Sequence, residues 1–382
     1  MKVAVTTLAV CVAALLALGL VMLYSSSIMD GAHDLMMQAI WCGIGFVVCV
    51  TATALDYLWL KKLAWPIFVI ALALLAAVFA PIIGHASHGA HRWIHFPGLT
   101  LQPSEFAKVA LIIILAWYGD RFQRQMNTFK AGVIFPGIIA GAILGMVFIE
   151  PDRGTTILLA AVTGSLLLLA GSRWTHLFAP VIFGGAAFAA SLLHDSMRRN
   201  RIAAWLHPDE HLNGAALQAQ QAMIGMGDGG LFGLGLGNGV RKFGYLPEIH
   251  TDFIFANIGE ELGLIATLLV VLTFIIVAIC GILISLNARE TFGTLLAAGI
   301  TLLICLQAAI NIGVVTSALP NKGLPLPFIS YGGSNLLAMM ACVGILLSVA
   351  RHAPVREKAS SKKSKKSAAD RFSDNPFAAR AT

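Results

Sequence analysis

The chain has 382 residues, 58% of them hydrophobic and 12% charged, with a formal net charge of +7. Its apolar residues fall in unbroken blocks longer than a soluble core helix needs, which excludes a soluble globular enzyme and marks a polytopic membrane protein. Helices are the expected spanning form, because a barrel strand would show about ten residues of alternating polarity and these blocks do not alternate.

A helix crosses the hydrocarbon layer with about 20 mostly apolar residues. Ten candidate segments follow in chain order, near 4–24, 37–54, 63–83, 105–119, 130–149, 154–171, 175–193, 256–285, 293–318 and 334–350. The expected architecture is therefore an all-α membrane domain over 1–350, with a large extracytoplasmic loop at 194–252 between the seventh and eighth helices. The first block runs apolar from Val3 to Tyr24 with no small-residue cleavage site before Ser25, so it reads as a retained anchor rather than a signal peptide.

Short cytoplasmic loops accumulate Lys and Arg. With the amino terminus inside, that side holds Lys2, Lys61, Lys62, Arg121, Arg124, Lys130, Arg173 and Arg289, whereas the short outer loops hold Arg92, Arg153 and Lys322. Both termini are then cytoplasmic and residues 194–252 face out. Cys11, Cys42, Cys49, Cys280, Cys305 and Cys342 all fall inside apolar blocks, which implies neither a disulfide framework nor a thiolate metal site. The tail over 351–382 mixes Lys and Arg with Ser and Ala and has no apolar period; it reads as disordered and suited to anionic lipid rather than nucleic acid.

The chemistry-bearing residues follow in chain order. His85, His88, His91 and His95 recur at helical spacing in an outer loop, but no neighbouring carboxylate or cysteine completes a metal pattern. Glu105 and Lys108 share a helix face within Gln102-Pro103-Ser104-Glu105-Phe106-Ala107-Lys108, and charges inside a membrane helix need an account. An ion pair is the plain reading and contact with substrate the alternative. Gly137, Gly141 and Gly145 form a small-residue stripe that close helix packing would explain. In the turn Glu150-Pro151-Asp152-Arg153-Gly154-Thr155, Asp152 is placed to cap the next helix or to contact a substrate.

Arg198, Arg199 and Arg201, followed by Trp205, make a cationic and aromatic patch suited to a diphosphate, because guanidinium groups match phosphate oxygens in a bidentate way. Lipid headgroups are its other natural partner. Residues 225–239 contain eight glycines, and Gly225, Gly227 and Gly230 match the spacing of a dinucleotide fingerprint. The match is rejected for want of a preceding strand and a βαβ unit, and the glycines read instead as backbone that packs closely or moves beside a substrate.

The polar segment ends in Tyr245-Leu246-Pro247-Glu248-Ile249-His250-Thr251-Asp252 before apolar sequence resumes at Phe253. A carboxylate at the boundary of water and lipid suits proton removal from a membrane-borne substrate, since partial burial lifts its pKa while solvent stays near. Asp252 is the leading catalytic candidate. Of Glu260 and Glu261, one is expected to face the bundle interior and support the site. Finally, the stretch from Thr316 to Ser334 is a loop punctuated by proline and glycine whose prolines fix its shape and aim Lys322.

These residues resemble the SEDS family of shape, elongation, division and sporulation proteins, over almost the entire chain up to the tail. The most specific pieces are YLPEIHTDFIF at 245–255, GLPLPFISYGGS at 323–334, QPSEFAK at 102–108 and EPD at 150–152, with HRW at 91–93 and RNRI at 199–202 as weaker supports. IGEELG at 258–263 and LPNKG at 319–323 resemble the division branch more than the elongation branch. The resemblance implies a glycosyltransferase that polymerises lipid II into peptidoglycan strands and releases undecaprenyl diphosphate. It also implies a partner transpeptidase, a single-pass class B penicillin-binding protein, with the division machinery at the septal inner membrane. Carried over by position, it gives Asp252 as the essential acid, Glu248 as its functional neighbour and Lys322 as the division-type lysine. Arg153 and Arg241 depart from the usual pattern and would add positive charge near the diphosphate.

Such a transfer needs one base and cationic stabilisation of a good leaving group rather than the paired carboxylates of glycosidases. Asp252 is the expected base and Glu248 its orienting neighbour. Arg198, Arg201 and Lys322 are the expected diphosphate ligands, and Lys242, Glu105, Lys108, Asp152 and Ser330 are further substrate-binding candidates. A divalent cation, Mg or Mn, could share the charge, although no ligand pattern for it is recognisable. The rival class is a lipid II flippase, for which Glu105, Lys108 and the glycine-interrupted helices would line a path; no internal repeat relates the two halves. A scaffold role in the division machinery is compatible with catalysis.

Overall fold

A computed structural model describes residues 1–26, 33–79, 84–87, 90–96, 99–193, 199, 202–203, 205–206, 215–242, 250–321 and 323–353. Helices occupy all ten apolar blocks. In chain order they are α1 (Lys2–Ser26), α2 (His33–Ala54), the short α3 (Leu58–Lys62), α4 (Ala64–Ala77), α5 (Pro103–Arg121), α6 (Phe135–Ile149), α7 (Arg153–Leu169), α8 (Trp174–Leu193), α9 (Ala215–Gly229), α10 (Ile254–Leu286), α11 (Thr291–Val315) and α12 (Gly333–Arg351). The expected count of about ten crossings is not confirmed: among the described residues, seven helices are long and apolar enough to span a membrane by length and composition. The other three blocks form α4 and α7, which are shorter, and α5, which carries Glu105, Lys108, Asp120 and Arg121.

α5 starts where Pro103 takes the first helical position after extended Gln102, a place where its missing N–H costs no intrahelical bond. It is deeply enclosed, with Leu111, Ile112 and Ile114 fully buried among α4, α7, α11 and α12. Between membrane helices there is little hydrophobic gain, so association rests on van der Waals fit and close approach. That fit is seen where α2 meets α12: a Cβ on Gly344 would lie 2.5 Å from the Cys49 carbonyl oxygen. The expected packing role of Gly137, Gly141 and Gly145 is not observed. No atom lies within 4 Å of a Cβ built at any of them, because α6 buries the neighbouring face of Pro136, Ala140, Ile143 and Val147.

The two ends of the bundle are held by different chemistry. At one, Lys61 bridges Asp120 at 2.9 Å and Glu290 at 3.3 Å, and Arg351 donates to the Ala54 carbonyl. At the other lies an antiparallel three-stranded sheet, β1 (Gly84–Ser87), β2 (Ala90–Phe96) and β3 (Leu99–Leu101), which the helical spacing of the histidines did not indicate. His85, His91 and His95 lie on strands, and His88 is outside the described residues. The sheet enters α5 through Gln102, whose N–H donates to Ser334 Oγ at the start of α12. The basic tail from 354 onward is also outside the described residues.

Candidate active site

Asp252 closes a short non-helical segment directly before α10, at the end of the bundle that carries the sheet. Three consecutive carbonyls of that segment each receive a donor. His250 O accepts from Tyr331 N at 2.9 Å, Thr251 O from Ser330 Oγ, and Asp252 O from Asn311 Nδ2 at 2.8 Å. The His250 ring nitrogen Nδ1 also bonds Ser26 Oγ at the end of α1, at 2.8 Å. Irregular backbone beside apolar helices persists only where its polar groups are satisfied within the protein, and here they are.

The partner of this segment is the loop 323–331. Ser330 is buried; its Oγ accepts from Leu326 N at 2.8 Å while donating to Thr251, so it clamps the loop onto the Asp252 segment. The Ser330 carbonyl accepts from Gln38 Nε2 of α2. The half-buried Asp252 carboxylate rests against Gly323, where a Cβ would lie 2.5 Å from Oδ2. Glycine at 323 thus makes room for the carboxylate.

Glu260 and Glu261 are both buried and both turn to the glycine-rich segment that follows α9. Glu260 Oε1 accepts from the N–H groups of Val240 and Arg241, at 2.7 and 3.2 Å. Glu261 accepts from Gly237 N and Ser25 Oγ and pairs with Lys242 at 3.0 Å. Two residues on, α10 breaks at Gly263, whose φ of 80° is a left-handed conformation. The carbonyls of Gly230 and Leu231 accept from Leu264 N and Ile265 N across the break, while Leu234 N and Gly235 N donate to the carbonyls of Glu260 and Glu261. The glycines are therefore a clasp on a helix kink.

This arrangement changes the expected cationic patch. Lys242 is 2% exposed and its Nζ also donates to the carbonyls of Ser25 and Gly237, so in this conformation it neutralises buried Glu261 instead of facing a diphosphate. Arg241 is likewise engaged, by Asp228 at 2.8 Å and Gln221 at 3.0 Å, and its charge is balanced locally. Arg199 is exposed; Arg198, Arg201, Glu248 and Lys322 lie outside the described residues.

Beside the site, the turn between α6 and α7 is held by two main-chain contacts from β2: Arg92 donates to the carbonyls of Glu150 and Pro151 at 3.1 and 2.6 Å. Asp152 caps α7, accepting from Thr155 N at 3.1 Å and Thr155 Oγ1 at 2.9 Å. A Cβ on Gly154 would be 3.2 Å from Leu324, so the turn abuts the loop that flanks Asp252. Burial, reinforced by the Asp152 carboxylate and opposed by Arg92, pushes the Glu150 carboxyl up to about 8. Glu105 and Lys108 pair at 2.8 Å, both inside the bundle, and Lys108 Nζ donates to Gln307 Oε1 at 3.0 Å. Among the described residues no group of three or more His, Cys, Asp or Glu is arranged to hold a metal ion.

Sequence reasoning passed over Gln307, Asn311 and Gly323. The available signal was a pair of amides four residues apart in otherwise apolar α11, since polar groups there need partners.

Fold and site together define a polytopic α-helical membrane protein whose irregular segments, and the Asp252 carboxylate with them, gather at one end of the bundle. The chain belongs to the cell cycle protein family of FtsW, RodA and SpoVE, whose sequence pattern matches residues 6–354. It is 40% identical over 345 residues to a probable peptidoglycan glycosyltransferase FtsW of Trichlorobacter lovleyi, covering 88% of this chain and 91% of that protein. It is 37% identical to stage V sporulation protein E of Bacillus subtilis, over 88% of this chain and 94% of the relative. Among solved structures it superposes on a chain of a peptidoglycan synthase complex with a TM-score of 0.74 at 24% identity, covering 90% and 96% of the two chains. The rod shape determining protein RodA of Thermus thermophilus gives a TM-score of 0.69 at 26% identity, covering 91% and 97%.

Proposed function

We propose that this protein is the glycosyltransferase that polymerises lipid II into glycan strands during septal wall synthesis, with Asp252 as general base. The observation that carries the reading is the immobilised 250–252 segment, whose three carbonyls are each bonded and whose carboxylate is seated against Gly323. In the reaction a sugar hydroxyl of the acceptor attacks the anomeric carbon of the donor. Asp252 takes the hydroxyl proton as the new glycosidic bond forms, and the bond to the lipid diphosphate breaks with its electron pair leaving on the phosphate oxygen. A base held in place converts binding into near-attack geometry, which is where positioned groups gain most. By resemblance, Glu248 orients the base or the acceptor. Lys322, Arg198 and Arg201 stabilise the departing diphosphate, with a divalent cation as a further source of positive charge.

The names of the relatives support the activity, and identities of 36–40% to division and sporulation members, against 26% to RodA, support the division branch. The likeness to a chain of a peptidoglycan synthase complex is consistent with a protein partner, for which the family resemblance implies a class B penicillin-binding protein. Lys and Arg placement supports an orientation in the cytoplasmic membrane with Asp252 outside. The flippase alternative loses its main residues: Glu105 and Lys108 are spent on one another and on Gln307 inside the bundle.

The test is polymerisation of purified lipid II by the full-length protein, alone and with a transpeptidase partner, comparing wild type with Asp252→Asn. Polymer from wild type and none from the variant is expected. Full polymerisation by a folded Asp252→Asn variant refutes the assigned base, and lipid II flipping in vesicles without polymer would move the function to transport.

A further inference from the structure

α11 carries two buried amides one helical turn apart, and three of their four N–H groups are spent on the irregular backbone around Asp252. Asn311 Nδ2 donates to Asp252 O at 2.8 Å and to Leu324 O at 2.7 Å. One amide thus bridges the peptide that carries the carboxylate and the loop residue next to Gly323, against which the carboxylate rests. Gln307 Nε2 donates to the adjoining carbonyl of Pro325 at 2.9 Å and to Asn335 Oδ1 of α12 at 3.0 Å. Its Oε1 accepts from Lys108, itself paired with Glu105. The exposures of Asn311 and Gln307 are 1% and 0%, so neither reaches a substrate directly.

We infer that Asn311 and Gln307 are positioning residues for the reaction: a two-amide bracket on α11 that fixes Asp252 relative to the 323–325 backbone. This rests on Asp252 being the base, as proposed above. The stoichiometry favours the assignment. Both N–H groups of Asn311 and both of Gln307 are used, and three of their four acceptors are main-chain carbonyls of the two segments that frame the carboxylate. A bracket of buried amides costs desolvation unless every donor is matched, and here that matching is made between the two faces of the site. The link from Lys108 to Gln307 extends the bracket down to the buried ion pair on α5.

The experiment measures initial rates of lipid II polymerisation against lipid II concentration, together with thermal unfolding, for full-length wild type, Asn311→Ala, Asn311→Asp, Gln307→Glu and Asp252→Asn. Asn311→Asp keeps the size of the side chain and leaves at most one donor, the O–H of a protonated carboxyl, so it cannot bridge both carbonyls. Gln307→Glu keeps an acceptor toward Lys108 and removes the donors to Pro325 and Asn335. The expected result is a kcat lowered about 10- to 100-fold with KM within about twofold of wild type, the signature of a displaced base with intact binding. A folded Asn311 variant with kcat within about twofold of wild type overturns the inference, as does a loss confined to KM. If Asn311→Ala and Asn311→Asp do not fold, Gln307→Glu carries the same criterion. Should Asp252→Asn itself polymerise normally, the assignment of the base has failed. Should Asp252→Asn be inactive while the amide variants turn over normally, only the positioning inference falls.

Discussion

Gly323→Ala is the sharpest perturbation the site offers, because it adds one methyl group whose three nearest atoms all belong to the carboxyl group of the proposed base. The new Cβ would lie 2.5 Å from Asp252 Oδ2. Carbon and oxygen settle no closer than about 3.3 Å, so the carboxylate must retreat by roughly 0.8 Å. The obstructing atom is the tip of a short side chain, and turning it off its preferred rotamer costs on the order of 0.5–1.5 kcal/mol, a small change in stability. The chemical step is far more sensitive: displacement of a reacting group by about 1 Å can cost about 100-fold, equivalent to about 2.7 kcal/mol of transition-state stabilisation. Gly323→Ala should therefore unfold within a few degrees of wild type and lose about two orders of magnitude in lipid II polymerisation, with KM little changed. A variant that polymerises at the wild-type rate refutes the placement of the base. Large thermal destabilisation with normal turnover would show that Gly323 serves packing alone.

Two further outcomes concern buried charge. Lys108→Met strands Glu105 without its counter-ion inside the bundle and should lower stability by about 3–5 kcal/mol, whereas Glu105→Met with Lys108→Met should recover most of it, since a well-packed apolar pair replaces a buried ion pair at little cost; thermal unfolding of the three proteins decides. Glu150 has a folded pKa of about 8, above the roughly 4.3 of an unfolded chain. It binds its proton more tightly when folded, so its contribution is complete below about pH 4 and is lost as pH rises toward 8. Glu150→Gln should remove that slope, leaving the variant close to wild type near pH 4–5 and more stable at about pH 8.5, and parallel unfolding curves across this window would contradict the burial of an uncompensated carboxyl.

The helices were legible because membrane blocks leave little choice: an apolar run of adequate length must satisfy its own backbone, and only a helix does so within one segment. The pairing of Glu105 with Lys108 in α5 was legible from their spacing, but the further partner Gln307, far away in sequence, was not. The sheet over 84–101 was hidden for a related reason. The spacing of His85, His88, His91 and His95 in the sequence mimics a helical period, and strand pairing between Gly84 and Ile94 is decided by a partner rather than by spacing. The stripe of Gly137, Gly141 and Gly145 had the right pattern on the wrong face, because nothing local says which side of α6 meets a neighbour.

Within the site, Asp252 stood out by its boundary position, but the reason for its fixed geometry did not. Its carbonyl is held by a residue 59 positions away, and the neighbouring loop by the same amide. The partner of Lys242 was equally hidden: it is drawn inward by Glu261, 19 positions away, whose own burial would be prohibitive without it. The glycine clasp explains how that pairing is reached. Because the kink at Gly263 leaves the helix ladder open, the clasp backbone bonds across the break, and the side chains of Glu260 and Glu261 meet the N–H groups of residues 237–241. The charges of IGEELG thus fix the start of α10, and with it the direction from which Asp252 emerges, so the acids within α10 and the acid before it act in one structural unit, the first two buried and the last half-exposed.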